Sequence, residues 1–156
     1  MIALVHRAIA PGEGHEAGRA LLAEAYWAHR GAEPPEVVLE ERGKPRFAED
    51  PLHFSITHTR NHAFCAISDR PIGIDAEELD RKIDLRLADK ILSPTEKAQY
   101  DAAPDKRLAL LTFWVLKEAD GKRTGEGIRG YPNKTAFSLH DPRVQTMEGC
   151  LVAVIE

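Results

Sequence analysis

Two acidic residues stand two apart in a short apolar segment, PIGIDAE at residues 71–77. The alternation predicts a β-strand, and because successive side chains of a strand point to opposite faces, Asp75 and Glu77 share one face with Gly73. Their Cβ atoms then lie roughly 7 Å apart, so that both carboxylates reach one cation, and the glycine predicts open space beside them. A solvated strand end has the same spacing, so this segment alone does not establish a metal site.

A second set of candidate residues lies in the helix predicted at 105–123, which overlaps the segment TFWVLKEADGKRTGEG. Glu118 precedes Lys122 by one turn, at the edge of the stripe predicted to face the core. This stripe comprises Leu108, Leu111, Val115, Ala119 and Lys122. The other interpretation is an exposed Glu–Lys pair, which at this spacing is worth only about 0.3–0.5 kcal/mol. Gly121 costs roughly 1 kcal/mol relative to alanine inside a helix, which indicates either a close approach by another group or an early helix end.

Two further segments carry hydrogen-bond donors for an anion. FSITHT at 54–59 ends a predicted strand with Thr57 and His58, whose hydroxyl and imidazole groups donate hydrogen bonds. A histidine in this position is as often a structural residue with satisfied hydrogen bonds. The loop RGKPRF presents Lys44 in a turn, where a solvated lysine is the ordinary interpretation.

The composition excludes several classes of protein. A chain of 156 residues suits one domain, or two small lobes that share a core. No apolar run approaches the ~18 residues that span a bilayer, and MIALVHRAIA lacks the order of a secretory signal, so we expect a cytoplasmic protein without a membrane role. The formal net charge of −4 gives no reason to expect a nucleic acid as partner. Cys65 and Cys150 lack metal-ligand spacing and are predicted to be buried free thiols.

The order of predicted elements is typical of an α+β fold, in which strands are grouped and helices are inserted between the groups. Strands are predicted at IALVH, EVVLEE, HFSITHT, AFCAIS, PIGIDAE, TAFSLH and GCLVAVIE. Helices are predicted at residues 15–30 and 82–92, from residue 94 onward, and at 105–123. Ser93 and Glu96 form a predicted capping box. The three strands from HFSITHT to PIGIDAE are predicted to form a meander, and residues 125–133 a loop.

The loop AEDP at 48–51 is the predicted internal boundary. It divides the chain into a short N-terminal lobe, residues 1–50, and a C-terminal lobe, residues 51–156, which contains the acidic motifs.

In this order, the four segments resemble the motifs of the 4′-phosphopantetheinyl transferases, especially the surfactin-synthetase-activating type. That family has a GKP loop, a strand with the pattern F-N-x-S-H-S, then G-I-D-x-E, then W-x-x-K-E-A-x-x-K-x-x-G-x-G. Here they stand as GKP at 43–45, FSITHT at 54–59, GIDAE at 73–77 and WVLKEADGKRTGEG at 114–127. The last two are specific. The resemblance covers about residues 15–155, since RALLAEAYWAHR resembles the family's helix that carries an arginine before a Leu-Leu pair.

The resemblance implies a fold and a role for each matching residue. The implied fold has two unequal, pseudo-symmetric lobes, each with a small antiparallel sheet packed against a helix, and coenzyme A lies between them. Lys122 matches the lysine near the transferred phosphoryl group. The residues that match the family's Mg²⁺ ligands are Asp75, Glu77 and Glu118. The residues that match its contacts to coenzyme A phosphates are Arg19, Lys44, Thr57 and His58.

The activity that the resemblance implies is transfer of the 4′-phosphopantetheine arm of coenzyme A to a serine of an apo acyl or peptidyl carrier protein. The leaving group is 3′,5′-ADP. Three carboxylates without histidine or cysteine form an oxygen site, which favours Mg²⁺ or Mn²⁺ over zinc. The metal and Lys122 would neutralise charge on the transferring and leaving oxygens. Glu118, directly or through a metal-bound water, is the candidate base.

The chain departs from the family pattern at several positions. Ser55, Thr57 and Thr59 stand where the family has Asn, Ser and Ser. The chain is also shorter at its amino end than the two-lobed enzymes, whose basic residues there bind the 3′-phosphate of coenzyme A. Arg7 and Arg30 are the candidates for this contact.

Two other functions agree with the same residues. One is a non-catalytic module that binds coenzyme A or a nucleotide, which the substituted FSITHT segment favours. The other is an unrelated Mg²⁺-dependent phosphoryl-transfer enzyme, against which stands the lack of a P-loop. The segment between the acidic motifs carries Arg81, Lys82, Arg86 and Lys90. It is either a solvated helix face or a docking surface for an acidic carrier protein.

Overall fold

The computed structural model describes residues 1–128 and 136–156. Its strands are β1 (Ala3–Ala8), β2 (Val37–Leu39), β3 (Pro45–Phe47), β4 (His53–His58), β5 (His62–Ser68), β6 (Gly73–Glu78), β7 (Val144–Met147) and β8 (Cys150–Ile155). Its helices are α1 (Gly14–Arg30), α2 (Ala88–Ile91), α3 (Pro94–Ala102) and α4 (Lys106–Thr124), with a 3₁₀ turn at Leu85–Leu87. Helices are inserted between groups of antiparallel strands, which confirms the predicted α+β class.

Two three-stranded antiparallel sheets form the frame of the described residues. The first has the strand order β1–β5–β4, with Cys65 of β5 paired to both Val5 and Ile56. The second has the order β6–β8–β7, with Asp75 of β6 opposite Ala153 of β8. β2 and β3 form a separate hairpin. The sheets are therefore small, and each needs a helix or another sheet to cover it.

Three apolar cores join these layers. α1 packs through Leu21, Leu22 and Ala25 on one face of the first sheet. α4 packs on one face of the second sheet in another core. The third core contains Phe64 of β5 and Ile74 of β6, so it joins the two sheets themselves. A large side chain that is fully buried contributes roughly 1.5–3 kcal/mol, and these cores hold β4, β6 and α4 in fixed relation.

α4 is buried on nearly all sides rather than along one stripe. Leu108, predicted to face inward, is 38% exposed, so the stripe prediction is wrong at this position. Asp105 begins the helix by accepting a hydrogen bond from the Leu108 amide at 3.0 Å. Gly125 ends it in a left-handed conformation, with φ of 78°. A helix that is apolar on most sides belongs to a core. The buried part of α4 therefore holds its last two turns, which carry Glu118 and Lys122, in a fixed position.

Three predicted elements differ from the structure. The meander is wrong at its third strand, because β6 pairs with β8 and not with β5. The helix predicted over 82–92 is a 3₁₀ turn followed by the four-residue α2, and Asp84 starts the turn by accepting from the Arg86 amide. The strand predicted at TAFSLH is wrong over 136–140, and the next strand, β7, begins only at Val144. Thr135 and most of the predicted loop at 125–133 lie outside the described residues.

Other predictions about local structure are confirmed. Ser93 and Glu96 form the capping box that begins α3, with both reciprocal hydrogen bonds present. Cys65 and Cys150 are buried free thiols, and burial raises the pKa of Cys65 to about 12. In the described part of the chain, no helix has the length and apolar character needed to cross a membrane.

Asp50 holds the AEDP loop against α1. Its Oδ2 accepts hydrogen bonds from the Tyr26 hydroxyl at 2.7 Å and from Arg30 Nε at 2.9 Å, and its Oδ1 accepts from the Leu52 amide at 2.8 Å. The hydrogen bonds from Arg30 are the largest cause that lowers the pKa of Asp50 well below its ordinary value. β1 precedes this loop in the chain and β5 follows it, yet the two strands pair in one sheet. The two-lobe division at 48–51 therefore stays a prediction.

Replacing Asp50 with asparagine should destabilise the fold by about 1–2 kcal/mol at pH 7, because an amide does not form the ion pair with Arg30. The stabilisation is present above the pKa of an unfolded aspartate, about 3.9, and is lost as the pH falls through the lower pKa of the folded state. The difference in unfolding free energy, measured with urea, should therefore narrow below about pH 4. The exposed Asp80→Asn is the control. A constant difference from pH 7 to pH 3 would contradict this account.

Candidate functional site

β6 presents Asp75 and Glu77 on the face that α4 covers. Gly73 shares this face, and a Cβ at Gly73 would overlap the carbonyl oxygen of Ala119 in α4. The predicted open space beside Gly73 is therefore wrong, because the helix backbone fills it. The glycine instead allows a close approach that brings the last turns of α4 to the two acids.

Asp75 is buried, and its two carboxylate oxygens differ in their surroundings. Oδ1 accepts hydrogen bonds from Lys122 Nζ at 3.1 Å and from Thr57 Oγ1 at 3.4 Å. Oδ2 is buried and has no hydrogen-bond partner among the described residues. Burial raises the pKa of Asp75, and the charge of Lys122 opposes this rise. A buried oxygen without a partner is costly, which indicates a position for a cation or a donor.

Glu77 is partly buried and has two partners on one oxygen. Its Oε1 accepts a hydrogen bond from the Trp114 indole at 3.2 Å and forms an ion pair with Arg81. The Arg81 guanidinium also lies over the Trp114 ring, 5.5 Å from its centroid. Burial raises the pKa of Glu77, followed by the negative charge of Asp75, whereas Arg81 lowers it.

Glu118 of α4 is partly buried and lies near both acids of β6. Burial raises the pKa of Glu118, followed by the charge of Asp75; the charge of Glu77 raises it further, and Lys122 opposes the rise. The three carboxylates are thus close enough to disfavour one another's ionisation. Like charges in such a position favour a bound cation.

Three residues of the types that bind metals are nevertheless not arranged as a ready metal site. Within residues 1–128 and 136–156, no three His, Cys, Asp or Glu side chains are placed so that they hold one ion. Two of the acids are paired with basic side chains instead, Asp75 with Lys122 and Glu77 with Arg81. The three acids are close enough for their charges to interact, but their oxygens are not arranged around one point. Their role as metal ligands stays a prediction.

The acids nevertheless fit a divalent cation in two respects. The buried Oδ2 of Asp75 has no hydrogen-bond partner among the described groups, so it can accept a ligand bond to a cation. Carboxylate oxygens are the ligands that Mg²⁺ and Mn²⁺ prefer, and a divalent cation would relieve the mutual repulsion of Asp75, Glu77 and Glu118.

A cavity of about 290 Å³ lies between α1, the β2–β3 hairpin, β4 and the C-terminal half of α4. Its charged lining residues are Arg19, Arg42, Lys44, Glu118 and Lys122. Its apolar lining residues are Pro45, Phe54 and Ile56. Cationic groups beside apolar walls suit a ligand that carries phosphates together with an apolar or aromatic part.

The tip of the β2–β3 hairpin closes one side of this cavity. Lys44 Nζ donates a hydrogen bond to the carbonyl oxygen of Arg123 at the end of α4, and Arg42 forms an ion pair with Glu126 at 3.3 Å. Burial lowers the pKa of Lys44, and the charge of Glu40 opposes this. The hairpin therefore holds two positively charged side chains beside the end of α4.

The structure brings together some of the predicted site residues and separates others. Arg19, Lys44, Glu118 and Lys122 line one cavity, whereas Thr57 and His58 do not. Thr57 is buried and donates to Asp75, as described above. His58 is exposed and packs against the first turn of α1, where a Cβ on Gly14 would overlap its ring.

The two arginines proposed for a 3′-phosphate are engaged elsewhere. Arg7 pairs with Glu24 at 2.8 Å, and Arg30 pairs with Asp50 at 2.9 Å. Neither lines the cavity. Arg42, which sequence reasoning did not select, does line the cavity.

Gly121 is explained by a close approach. α4 continues to Thr124, so the helix does not end early at this glycine. A Cβ on Gly121 would overlap the backbone of Gly127, whose amide donates to the Gly121 carbonyl at 3.1 Å. The glycine thus lets the chain after α4 fold back beside Lys122.

Sequence reasoning missed two other features of the site region. The Trp114 indole contacts Glu77, and its position one turn before Glu118 was a usable signal. The pair Glu96–Lys117 is buried behind the site, with 2.7 Å between Oε1 and Nζ. The two residues are 21 positions apart. The capping box predicted a structural role for Glu96, but nothing in the sequence connected Glu96 with Lys117.

The fold and the site define an α+β protein with an acidic cluster beside a basic cavity. Residues 71–151, just over half of the chain, match the model of the 4′-phosphopantetheinyl transferase superfamily. The chain belongs to this family. The matched segment contains Asp75, Glu77, Glu118 and Lys122, whereas Arg19, Lys44, Thr57 and His58 precede it.

Curated relatives resemble the chain over most of its length. It is 40% identical over 122 residues to the 4′-phosphopantetheinyl transferase HetI of Nostoc sp. strain PCC 7120, covering 72% of this chain and 52% of HetI. It is 35% identical to the 4′-phosphopantetheinyl transferase psf-1 of Bacillus pumilus, with coverage of 72% and 52%. It is 37% identical to the 4′-phosphopantetheinyl transferase AcpT of Escherichia coli K12, with coverage of 70% and 56%. The chain thus spans about half the length of the curated relatives it matches.

Proposed function

We propose that the protein transfers the 4′-phosphopantetheine arm of coenzyme A to a serine of an apo carrier protein and releases 3′,5′-ADP. The observation that carries the proposal is that Glu118 and Lys122 line the same cavity as Arg19 and Lys44. A cavity with this lining offers cations for phosphates and a carboxylate for a proton in one place. The relatives, each named a 4′-phosphopantetheinyl transferase, support the same activity.

The cavity would bind coenzyme A through its phosphates. Arg19, Arg42 and Lys44 supply positive charge, and the walls at Phe54 and Ile56 supply apolar surface. The contact of Lys44 with the end of α4 holds its ammonium in place before a ligand arrives, which lowers the entropy cost of binding.

The chemical step is a phosphoryl transfer between two oxygens. The serine oxygen forms a bond to the β-phosphorus of coenzyme A while the bond from that phosphorus to the bridging oxygen of 3′,5′-ADP breaks. The serine proton leaves towards Glu118, which lines the cavity and is the candidate base either directly or through a water molecule. Lys122, which lines the same cavity, neutralises charge on the leaving phosphate oxygens.

A divalent cation, Mg²⁺ or Mn²⁺, would be held by Asp75, Glu77 and Glu118. When bound, it supplies positive charge that stabilises the pyrophosphate oxygens during transfer. Among these three acids, Glu118 lines the cavity and the other two do not. Glu118 is therefore the acid that meets the ligand, while Asp75 and Glu77 act from behind it.

The test is a mass measurement on the carrier. The protein is mixed with Mg²⁺, coenzyme A and several apo acyl and peptidyl carrier proteins, and each carrier is weighed before and after. Gain of one phosphopantetheine arm, lost on addition of a chelator, is the expected result. Carriers that keep their mass in every mixture would contradict the proposal.

A non-catalytic module that binds coenzyme A is the second candidate. Two observations favour it: the described acids are not assembled as a metal site, and Thr57 and His58 do not line the cavity. Calorimetry separates the two functions, because the module binds coenzyme A without changing the mass of any carrier.

The carrier is proposed to dock on the basic segment after β6. Arg86 and Lys90 are exposed, and the guanidinium of Arg86 is held by Asp84 at 2.7 Å. Complementary charge speeds encounter with an acidic partner. The double variant Arg86→Glu with Lys90→Glu should therefore raise the KM for the carrier about ten-fold and leave the KM for coenzyme A unchanged.

A matched control for this docking prediction lies on another element. Arg143 is held by Asp141 at 2.7 Å, in the same two-residue spacing, and Arg143→Glu with Arg70→Glu makes the same change in charge. The control should leave both KM values near those of the wild type. Equal effects of the docking variant on the carrier and on coenzyme A would refute the docking surface.

A further inference from the structure

We infer that Arg81 is a built-in competitor of the divalent cation, which occupies Glu77 in the metal-free protein and must leave it when the cation binds. The inference rests on the metal site of the proposed function. It goes beyond that function because it assigns to Arg81 control over how tightly the cation binds.

The position of Arg81 is fixed from two sides. Its guanidinium pairs with the carboxylate of Glu77 and lies over the ring of Trp114. Its backbone carbonyl accepts a hydrogen bond from the guanidinium of Arg107 at 3.0 Å, and the same Arg107 nitrogen donates to the Leu79 carbonyl at 2.7 Å. The turn after β6 is thereby tied to α4, which places the Arg81 guanidinium over the acid.

Arg81 and a bound cation would compete because both need the carboxylate of Glu77. Oε1 of Glu77 accepts from Trp114 at 3.2 Å and pairs with Arg81, so it already has two positive or donating neighbours. A cation that approaches this carboxylate meets the charge of Arg81 at the same place, and like charges repel. The ion pair is partly exposed, with side-chain exposures of 37% and 22%, so it is weak enough to exchange.

The competition also explains why the acids are not assembled as ligands. Lys122 on Asp75 and Arg81 on Glu77 place two positive charges among the three carboxylates. These two charges leave the metal-free cluster with a formal charge of −1 in place of −3, and the fold tolerates it without a bound ion. A divalent cation supplies the charge that Arg81 now supplies, and Arg81 becomes free to turn toward solvent.

The test measures binding of Mg²⁺ alone to the whole chain, without coenzyme A or carrier, by isothermal titration calorimetry. Arg81→Gln removes the competitor and should bind Mg²⁺ roughly three- to ten-fold more tightly than the wild type. The control Lys82→Gln makes the same change in charge at the next, exposed residue and should stay within about two-fold of the wild type. Both variants should unfold at the wild-type temperature within a few degrees, since the partners of the Arg81 backbone remain.

A spectroscopic measurement locates the bound ion. The chain has two tryptophans, and Trp27→Phe leaves Trp114 as the sole indole. Because Trp114 donates to Glu77, Mg²⁺ that binds at Glu77 should change its emission with the same dissociation constant that calorimetry gives.

Three results would overturn the inference. Equal tightening in Lys82→Gln would mean a general effect of charge. Weaker or unchanged binding in Arg81→Gln would mean that Arg81 positions Glu77 or has no effect on it. Lack of Mg²⁺ binding in every variant would remove the competition altogether. The carrier mass assay decides the proposed function separately, so transfer activity with unchanged Mg²⁺ affinity in Arg81→Gln would sink this inference alone.

Discussion

Replacing Glu118 with glutamine should abolish phosphopantetheine transfer while leaving the fold at least as stable as the wild type. Loss of a general base alone costs about 10²–10⁴ in rate, and loss of a cation ligand adds to this, so we expect kcat to fall by at least about 10³. Stability should not fall, because burial and the charge of Asp75 already disfavour the ionised form of Glu118. An uncharged amide of the same shape removes that repulsion.

Two measurements separate catalysis from folding in this variant. Mass spectrometry of the carrier gives the rate, and thermal unfolding gives the stability. The exposed Glu33→Gln is the matched control and should change neither. A variant Glu118→Gln that is stable and retains more than a tenth of the wild-type rate would remove Glu118 from the proposed chemistry.

The sequence was sufficient for the residues whose placement follows from local periodicity. The two-residue period of β6 put Asp75 and Glu77 on one face, and the 3.6-residue period of α4 put Glu118 and Lys122 one turn apart. The capping box at Ser93 was predictable because its two hydrogen bonds join residues only three positions apart. Each of these features depends on neighbours in the chain.

The sequence was insufficient where contacts join distant segments. β6 follows β5 closely in the chain, yet its ladder partner is β8, because pairing depends on which strand covers the open edge in three dimensions. The ion pair of Glu77 with Arg81 is local, but its effect on a metal site depends on Lys122 and on the burial of Asp75. The space beside Gly73 was interpreted as open because Ala119, the residue of α4 that fills it, lies more than 40 residues away in sequence.

Breaking the buried pair Glu96–Lys117 should lower the stability of the fold more than Asp50→Asn does. Glu96 is fully buried and Lys117 is 1% exposed. Oε1 of Glu96 accepts from Lys117 Nζ at 2.7 Å and from the Ser93 amide at 2.8 Å, while Oε2 accepts from the Phe137 amide at 2.9 Å. Glu96→Gln should therefore lower the unfolding free energy by about 3–5 kcal/mol, as found when one partner of a buried ion pair is removed.

The cause of that loss is the buried charge left behind. In Glu96→Gln the ammonium of Lys117 faces a neutral amide in place of a carboxylate. Burial already lowers the pKa of Lys117, and Glu96 is the main group that opposes this. In the wild type, the carboxylate of Glu96 offsets the cost of burying the Lys117 ammonium. In the variant this cost is no longer offset and destabilises the folded state.

A double-mutant cycle tests whether the two residues act as a pair. Glu96→Gln combined with Lys117→Met removes both charges, so it should recover about 2 kcal/mol or more relative to the sum of the single changes. Unfolding in urea gives the four free energies. Additive losses would contradict a coupled pair and would assign each side chain a separate role. Asp101→Asn is the control, because the exposed pair Lys97–Asp101 at 2.9 Å should be worth less than about 0.5 kcal/mol.

The same pair bears on the candidate site because Lys117 and Glu118 are adjacent in α4. Side chains one residue apart in a helix point about 100° apart, so anchoring Lys117 to α3 fixes the direction in which Glu118 points. Lys117→Met alone should therefore reduce transfer as well as stability, and the double variant should recover more of the stability than of the rate. Full recovery of both would mean that packing of α4 alone, without the buried charges, holds Glu118 in the cavity.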